Sequence, residues 1–374
     1  MNVLTVRKSN LGLLAYLASA LVLFALVVRP SLEGSSGLRV TADSGTFLAL
    51  VAALAANPEQ LISIGANYLG PFLILRLTQS DHLAVALLNG GLFLLSYLVV
   101  VKSFDLHRPR FVALLCLNPM LGISLLSVNK EILAFASAGF MASYLAGGRR
   151  WLLAAALSLS ILARWQMTLV ILIALLVRSR LNPFVRHRAL TLALMVGAIS
   201  VLYPPVLRVH LAAGLESQFT ASQFASTAGL TGLFSAIQDN YGYFIVVVPK
   251  VLLSYFGNLL RLFDFVVRPD RIDYSDVYNN IVVLGHQVCM AGVCLLALRR
   301  RRLTLASDNV FFIAVYSVVF AISVLISYRY FFPIYLLVCI ELCRRRQDLE
   351  QGSDAASAVA RVGGGSGSAS ASPA

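Results

Sequence analysis

The sequence predicts an all-α, polytopic membrane protein with about ten transmembrane segments, outer-face re-entrant or amphipathic helices, and cytoplasmic N and C termini. Three observations lead there. Hydrophobic residues make up 59% of the chain and charged residues only 13%, where a soluble protein carries roughly a quarter. Apolar runs approaching the roughly 20 residues needed to span a bilayer recur along the length. The basic residues behind the formal net charge of +13 stand in short clusters between those runs. Lys and Arg beside a span resist translocation, so each cluster marks the cytoplasmic side.

The clear spans are 11–29, 82–101, 111–127, 132–147, 189–209, 279–298, 309–326 and 331–343. The first is long enough to cross and lacks a small-residue cleavage site, so it reads as a span and not a cleaved leader. Two further apolar runs, 60–76 and 242–267, contain Asn67, Gly70 and Pro71, and Pro249, Lys250, Asn258, Arg261 and Asp264. Charge placement decides both. If 60–76 crossed, the clusters at 102–110, 149–150 and 178–188 would face outward; if 242–267 crossed, Arg299 to Arg302 would. Both are therefore expected as outer-face elements, within outer regions 30–81 and 210–278.

Residues 151–178 are nearly continuous apolar sequence broken by Arg164-Trp165-Gln166. Two short arms, 151–163 and 167–178, keep the basic clusters at both ends inside. An arm of about 13 residues reaches only about 20 Å at 1.5 Å per residue, against ~30 Å of hydrocarbon. Arg164 is thus expected in a recess on the outer face. One membrane domain, 1–346, and a disordered cytoplasmic tail rich in Gly, Ser and Ala, 347–374, complete the organisation.

Composition excludes several functions. The basic clusters lie on no soluble fold and carry no stacking aromatics, so no nucleic acid is expected. The cysteines (116, 289, 294, 339, 343) and the five histidines show no metal-ligand spacing, and no metal or cofactor is expected.

The polar residues that need explaining fall on the outer face. Asp43 follows the first span, Lys130 and Glu131 share a tight turn, Arg164 and Gln166 cap the hairpin, and Arg329 lies at a late turn beside Tyr328. Charges recessed in a bilayer default to function. Lys130, Arg164 and Arg329 together suit an anion such as a lipid pyrophosphate, and a carboxylate such as Asp43 suits a general base. Each has a structural alternative. Asp43 is equally the N-cap of a helix over 45–56, Lys130 and Glu131 a mutual pair or solvated turn, and Arg329 a snorkelling cation between belt tyrosines. Asp270, Asp273 and Asp276 read as an exposed acidic loop.

The order of these features resembles the bacterial polysaccharide polymerases of the Wzy and EpsG type and, more distantly, the GT-C glycosyltransferases. The resemblance is carried by Asp43 in Ala-Asp-Ser-Gly-Thr-Phe, Asn67-Tyr-Leu-Gly-Pro71, Asn118-Pro119, Asn129-Lys130-Glu131, Arg164 to Gln166, and Tyr328 to Pro333, over residues 1–346. The first outer loop has one Asp, unlike the paired acidic residues of many GT-C enzymes. The resemblance implies polymerisation of polyprenyl-pyrophosphate-linked oligosaccharides on the outer face of a bacterial inner membrane. The partners are then a lipid-linked glycan donor and acceptor, the bilayer, and other polysaccharide-assembly proteins. It assigns Asp43, Arg164 and Arg329 to catalysis, and Lys130, Glu131, Gln166, Tyr241, Arg268 and Tyr328 to substrate binding, with Tyr241, Tyr243 and Tyr274 as sugar-stacking candidates. A single-sugar transferase using a polyprenyl-phosphate donor, a transporter or lipid-linked glycan flippase, and a non-catalytic membrane subunit are the alternatives. A flippase calls for charge distributed along spans near the midplane, whereas here it gathers at outer turns.

Overall fold

The computed structural model describes residues 8–41, 44–56, 68–179, 182–184, 187–208, 230–323 and 328–345, and these are helical throughout apart from turns and one isolated bridge, Leu106–Arg344. Asp43, residues 209–229 and the tail fall outside the described residues.

In chain order the helices are α1 (Lys8–Leu23), α2 (Ser44–Ala56), α3 (Leu69–Leu77), α4 (His82–Ser103), α5 (Arg108–Leu117), α6 (Pro119–Leu126), α7 (Glu131–Gly147) and α8 (Arg150–Ala163). There follow α9 (Trp165–Arg178), α10 (Arg188–Leu202), α11 (Leu230–Asp239), α12 (Tyr243–Phe256), α13 (Arg261–Val267), α14 (Leu284–Arg299), α15 (Asp308–Phe320) and α16 (Phe332–Cys343). Five helical runs are long and apolar enough to cross a membrane, and the kinked pair α5–α6 makes a sixth if it counts as one. The outward face of α4 shows why: Leu87, Leu88, Leu95 and Leu98 are exposed while Phe93 and Tyr97 opposite them are buried. Apolar side chains on both faces suit lipid outside and protein inside.

Helix α7 is the centre of the packing, buried on nearly every side by α4, α8 and α16. Its run of Ala, Ser and Gly permits this, because small residues let helix backbones approach where hydrocarbon supplies no hydrophobic drive. Gly139 lies so close to Ser96 that an added Cβ would meet its Oγ at 2.5 Å. Ser137 Oγ donates to the carbonyl of Ala156 on α8 at 2.8 Å.

The kink between α5 and α6 is 74°. Pro119 has no N–H to continue the ladder, and Asn118 starts the second helix by accepting from Met120 N–H at 3.0 Å. Arms α8 and α9, 14 residues each, turn back on each other at Arg164, whose backbone is extended. Ser160 and Thr168 join the arms through their hydroxyls at 2.8 Å. Arg178, at the end of α9, donates to the carbonyl of Leu145, shortly before α8 begins. No Gly or Pro is needed at the turn, since an extended residue breaks the helix for any side chain.

The run Tyr243–Val267 has the length and hydropathy of a span. Its contacts show how it lies: Tyr243 OH donates to Val318 O, and the Tyr255 hydroxyl meets Ser317 Oγ at 2.6 Å. Tyr243 and Tyr255 are separated by roughly 18 Å of helix at 1.5 Å per residue, yet their partners adjoin on α15. Helix α12 therefore crosses α15 instead of running beside it.

Ion pairs gather at two ends. At one, Arg178 and Arg188 share Asp308, Arg345 meets Asp105 at 3.6 Å, and buried Glu341 accepts from Ser307, Asn309 and Arg344. At the other lie Glu131, Arg164 and Arg329, together with Arg39, which bonds Asp273 and Asp276 at 3.1 and 3.3 Å. The acidic loop is thus tied down by a cation. Hydrogen bonds from the Ser275 side chain and backbone, then Arg39, hold the Asp273 carboxyl below the usual range.

A candidate anion site at the Lys130–Glu131 turn

The site begins with Asn129. Its Oδ1 accepts from the Glu131 and Ile132 N–H groups at 3.0 and 3.3 Å, capping α7, while its Nδ2 donates to Ser124 O and Ser127 O. Asn89 of α4 donates to Ser127 O at 3.0 Å and fixes the turn from below. Glu131 accordingly stands in the first turn of a helix, where the positive end of the helix dipole favours a carboxylate.

The Glu131 carboxylate is held at both oxygens. Oε2 accepts the Lys130 backbone N–H at 3.1 Å, and Oε1 accepts from Arg164 Nη2 at 2.7 Å. Both side chains are about 5% exposed. Arg329 brings its Nε to 3.8 Å from the same oxygen. Beneath them lies Tyr330: the Arg164 guanidinium is 3.7 Å from the ring centroid and that of Arg329 5.9 Å. The turn Tyr328–Phe331 is anchored by Tyr316 OH, which donates to Tyr330 O at 2.6 Å. Lys130 Nζ sits 5.8 Å over the ring of Tyr68, which meets Phe47 edge to face.

Helix α3 wedges the hairpin into this position. Gly70 packs directly on the end of α8, where an added Cβ would stand 2.1 Å from Leu162 O. Ser44 Oγ donates to Val128 O at 3.1 Å, bringing the start of α2 to the same turn. A small pocket of about 10 Å³, room for roughly one water, opens here, lined by Ser44, Ser124, Asn129, Glu131, Tyr278 and Arg329 among others. Arg164 does not line it; Glu131 stands in front. Arg164 Nε and Nη1 are buried and have no hydrogen-bond partner among the described residues. Buried guanidinium donors left unmade are costly, so the arrangement has the chemistry of an anion seat.

The expected residues divide accordingly. Arg164, Arg329, Glu131 and Lys130 come together at the turn. Gln166 is the second residue of α9, with its Oε1 buried and without a partner among the described residues. Asp43 lies outside the described residues. Tyr241 is exposed in the left-handed turn before α12, Arg268 is exposed beyond α13, and Tyr328 packs against Gly257; among the described residues no hydrogen bond or ion pair joins these three side chains to the cluster.

The structure corrects one structural alternative and one candidate. The Lys130 and Glu131 side chains form no pair with each other, because the carboxylate turns back to its own helix start and to Arg164. Tyr243 is fully buried with its hydroxyl bonded to Val318, so it offers no face to a sugar. Tyr330, a belt residue in the structural alternative for Arg329, lies under the Arg164 guanidinium as well as beside Arg329. Among the described residues no cluster of His, Cys, Asp or Glu could hold a metal. The reading from sequence also missed the buried pair Lys250 and Gln238, and Glu341, whose polarity inside an apolar run was the available signal.

No protein-family model matches the chain, and neither a characterised protein nor a solved structure matches it.

Proposed function

We propose that this chain is a glycosyltransferase that polymerises polyprenyl-pyrophosphate-linked oligosaccharide repeat units at the outer face of the bacterial inner membrane. The observation that carries the proposal is Arg164: buried, stacked on Tyr330, and holding two donors without a partner among the described residues, beside Glu131 and Arg329. Ten crossings with cytoplasmic termini follow when α7, α8, α9, α15 and α16 join the longer helices and α12 lies along the interface. The basic ends of α9, α10 and α16 then face the cytoplasm, and the anion site faces outward.

In this reaction a sugar hydroxyl of the acceptor attacks the anomeric carbon of the donor, and the diphosphate leaves. Arg164 and Arg329 neutralise the leaving group where its charge develops, the most effective use of preorganised cations. Short arms recess the seat below the outer surface, within reach of a lipid diphosphate lying in the outer leaflet. No cofactor takes part.

A cell lacking the gene, rescued with wild type, Asp43→Asn or Arg164→Ala, provides the test through its lipid-linked and surface glycans. Accumulation of one complete repeat unit, with chain length restored only by wild type, supports the polymerase. A unit missing one sugar points to a single-sugar transferase using a polyprenyl-phosphate donor. An unchanged profile overturns both and leaves transport or a structural role.

A further inference from the structure

On the reading of the cluster as a diphosphate seat, we infer that Glu131 is the site's own counter-anion. The substrate phosphate replaces it at Arg164, and the released carboxylate receives the proton of the attacking hydroxyl.

The geometry requires an exchange. Glu131 and Arg329 line the pocket, whereas Arg164 lies behind Glu131 and is bonded to it at 2.7 Å. A ligand approaching from the side of this small pocket reaches the Arg164 guanidinium only when the carboxylate moves aside and the pocket widens. Arg164 itself has little freedom to come forward, because its guanidinium is stacked 3.7 Å above Tyr330 and the hairpin apex is wedged by Gly70. Its two unpartnered nitrogens add donors that Glu131 does not use and a phosphate, with more acceptor oxygens, can.

Two anions crowded onto one guanidinium repel each other, so the arriving phosphate loosens the Glu131 contact. The carboxylate is not left stranded: Oε2 keeps the Lys130 N–H at the helix start. Among the described residues lining the pocket it is also the one carboxylate. With Arg164 bonded to the phosphate, Oε1 keeps the longer 3.8 Å approach of Arg329 Nε and can accept from a hydroxyl. The bond from that hydroxyl oxygen to the anomeric carbon forms as the carbon–oxygen bond to the diphosphate breaks. The electron pair leaves on the phosphate oxygen against Arg164, and the proton passes to Glu131.

Binding and turnover should therefore separate in Glu131→Gln. The full-length protein in nanodiscs would be titrated with inorganic pyrophosphate and with a short-chain polyprenyl diphosphate, and glycan polymerisation followed in membranes. We expect Glu131→Gln to bind both probes roughly tenfold tighter than wild type, since an ionic competitor of ordinary strength is removed, and to lose polymerisation. Arg164→Ala should abolish binding in either background. Glu131→Asp, which keeps the charge but shortens its reach, should show the same sign more weakly, and decides the matter if Glu131→Gln does not fold. Binding that depends on Arg164 but is no tighter in either Glu131 variant, or polymerisation at the wild-type rate in Glu131→Gln, overturns the exchange alone. Binding that is absent from every protein, or indifferent to Arg164, overturns the diphosphate seat and the exchange with it.

Discussion

Glu131 and Arg164, 33 residues apart in sequence, meet at 2.7 Å with side chains about 5% exposed. A charge pair so deeply placed is sensitive to the loss of either partner, because the survivor is an uncompensated buried ion.

Arg164→Ala should lower stability by about 3–5 kcal/mol, the usual consequence of orphaning a buried charge. The double variant Glu131→Ala with Arg164→Ala should cost less than the sum of the two singles. Denaturant unfolding of the purified protein measures both. Additive losses would show that the two side chains are energetically independent.

Gly70 offers a mechanical test of the hairpin apex. Gly70→Ala places a methyl 2.1 Å from Leu162 O, so α3 or the end of α8 must shift. A loss of about 1–3 kcal/mol is expected from such overpacking, with polymer length falling in cells because Arg164 lies two residues beyond the contact. A melting temperature and glycan profile equal to wild type would remove α3 from any role in placing Arg164.

Sidedness can be read by labelling. In a cysteine-free background, Ile272→Cys should react with a membrane-impermeant maleimide applied to intact spheroplasts. Asp105→Cys and Phe184→Cys should react only after permeabilisation. The physical basis is the clustering of Arg178, Arg188 and Arg345 with Asp308 and Asp105 at one end, and of Arg39 with Asp273 at the other. Labelling of position 105 from outside would invert the proposed orientation of α4 and α5.

Lys250 pins α12 to the end of α15. Its Nζ donates to Gln238 Oε1 at 2.8 Å and to Ser323 O, while Gln238 Nε2 donates to Ile322 O at 2.9 Å. Lys250→Met leaves buried acceptors unmet and should cost about 1–3 kcal/mol. Hydrogen exchange should rise over 230–256 with little change at α7. Exchange unchanged across α11 and α12 would mean that the tyrosine contacts hold the crossing alone.

Much of the architecture was legible in the chain. Helical class, the apolar runs and the break at Arg164 are matters of local composition and short-range periodicity, and the α8–α9 hairpin follows once Arg149-Arg150 and the 178–188 cluster must share a side. The candidate site was legible in part. Arg164, Arg329, Lys130 and Glu131 stood out because charge in apolar sequence is rare, but the pairing among them was not visible. Tyr330 looked like any interfacial tyrosine, and Tyr243 like an exposed one, because the sequence around each carries no sign of which face the fold covers.

Hydropathy and the spacing of basic residues thus determined by themselves that this is a helical membrane protein with several of its exceptional charges at turns. Both are one-dimensional properties, set by what lipid and water accept along the chain. Only the tertiary structure decided that Glu131 stands between the pocket and Arg164, that Tyr330 supports the guanidinium, and that α12 crosses α15. Those relations depend on helix rotation and crossing angle, and a change of one residue in register turns a helical side chain through about 100°. Packing of small-residue faces sets that register, and no local pattern encodes it.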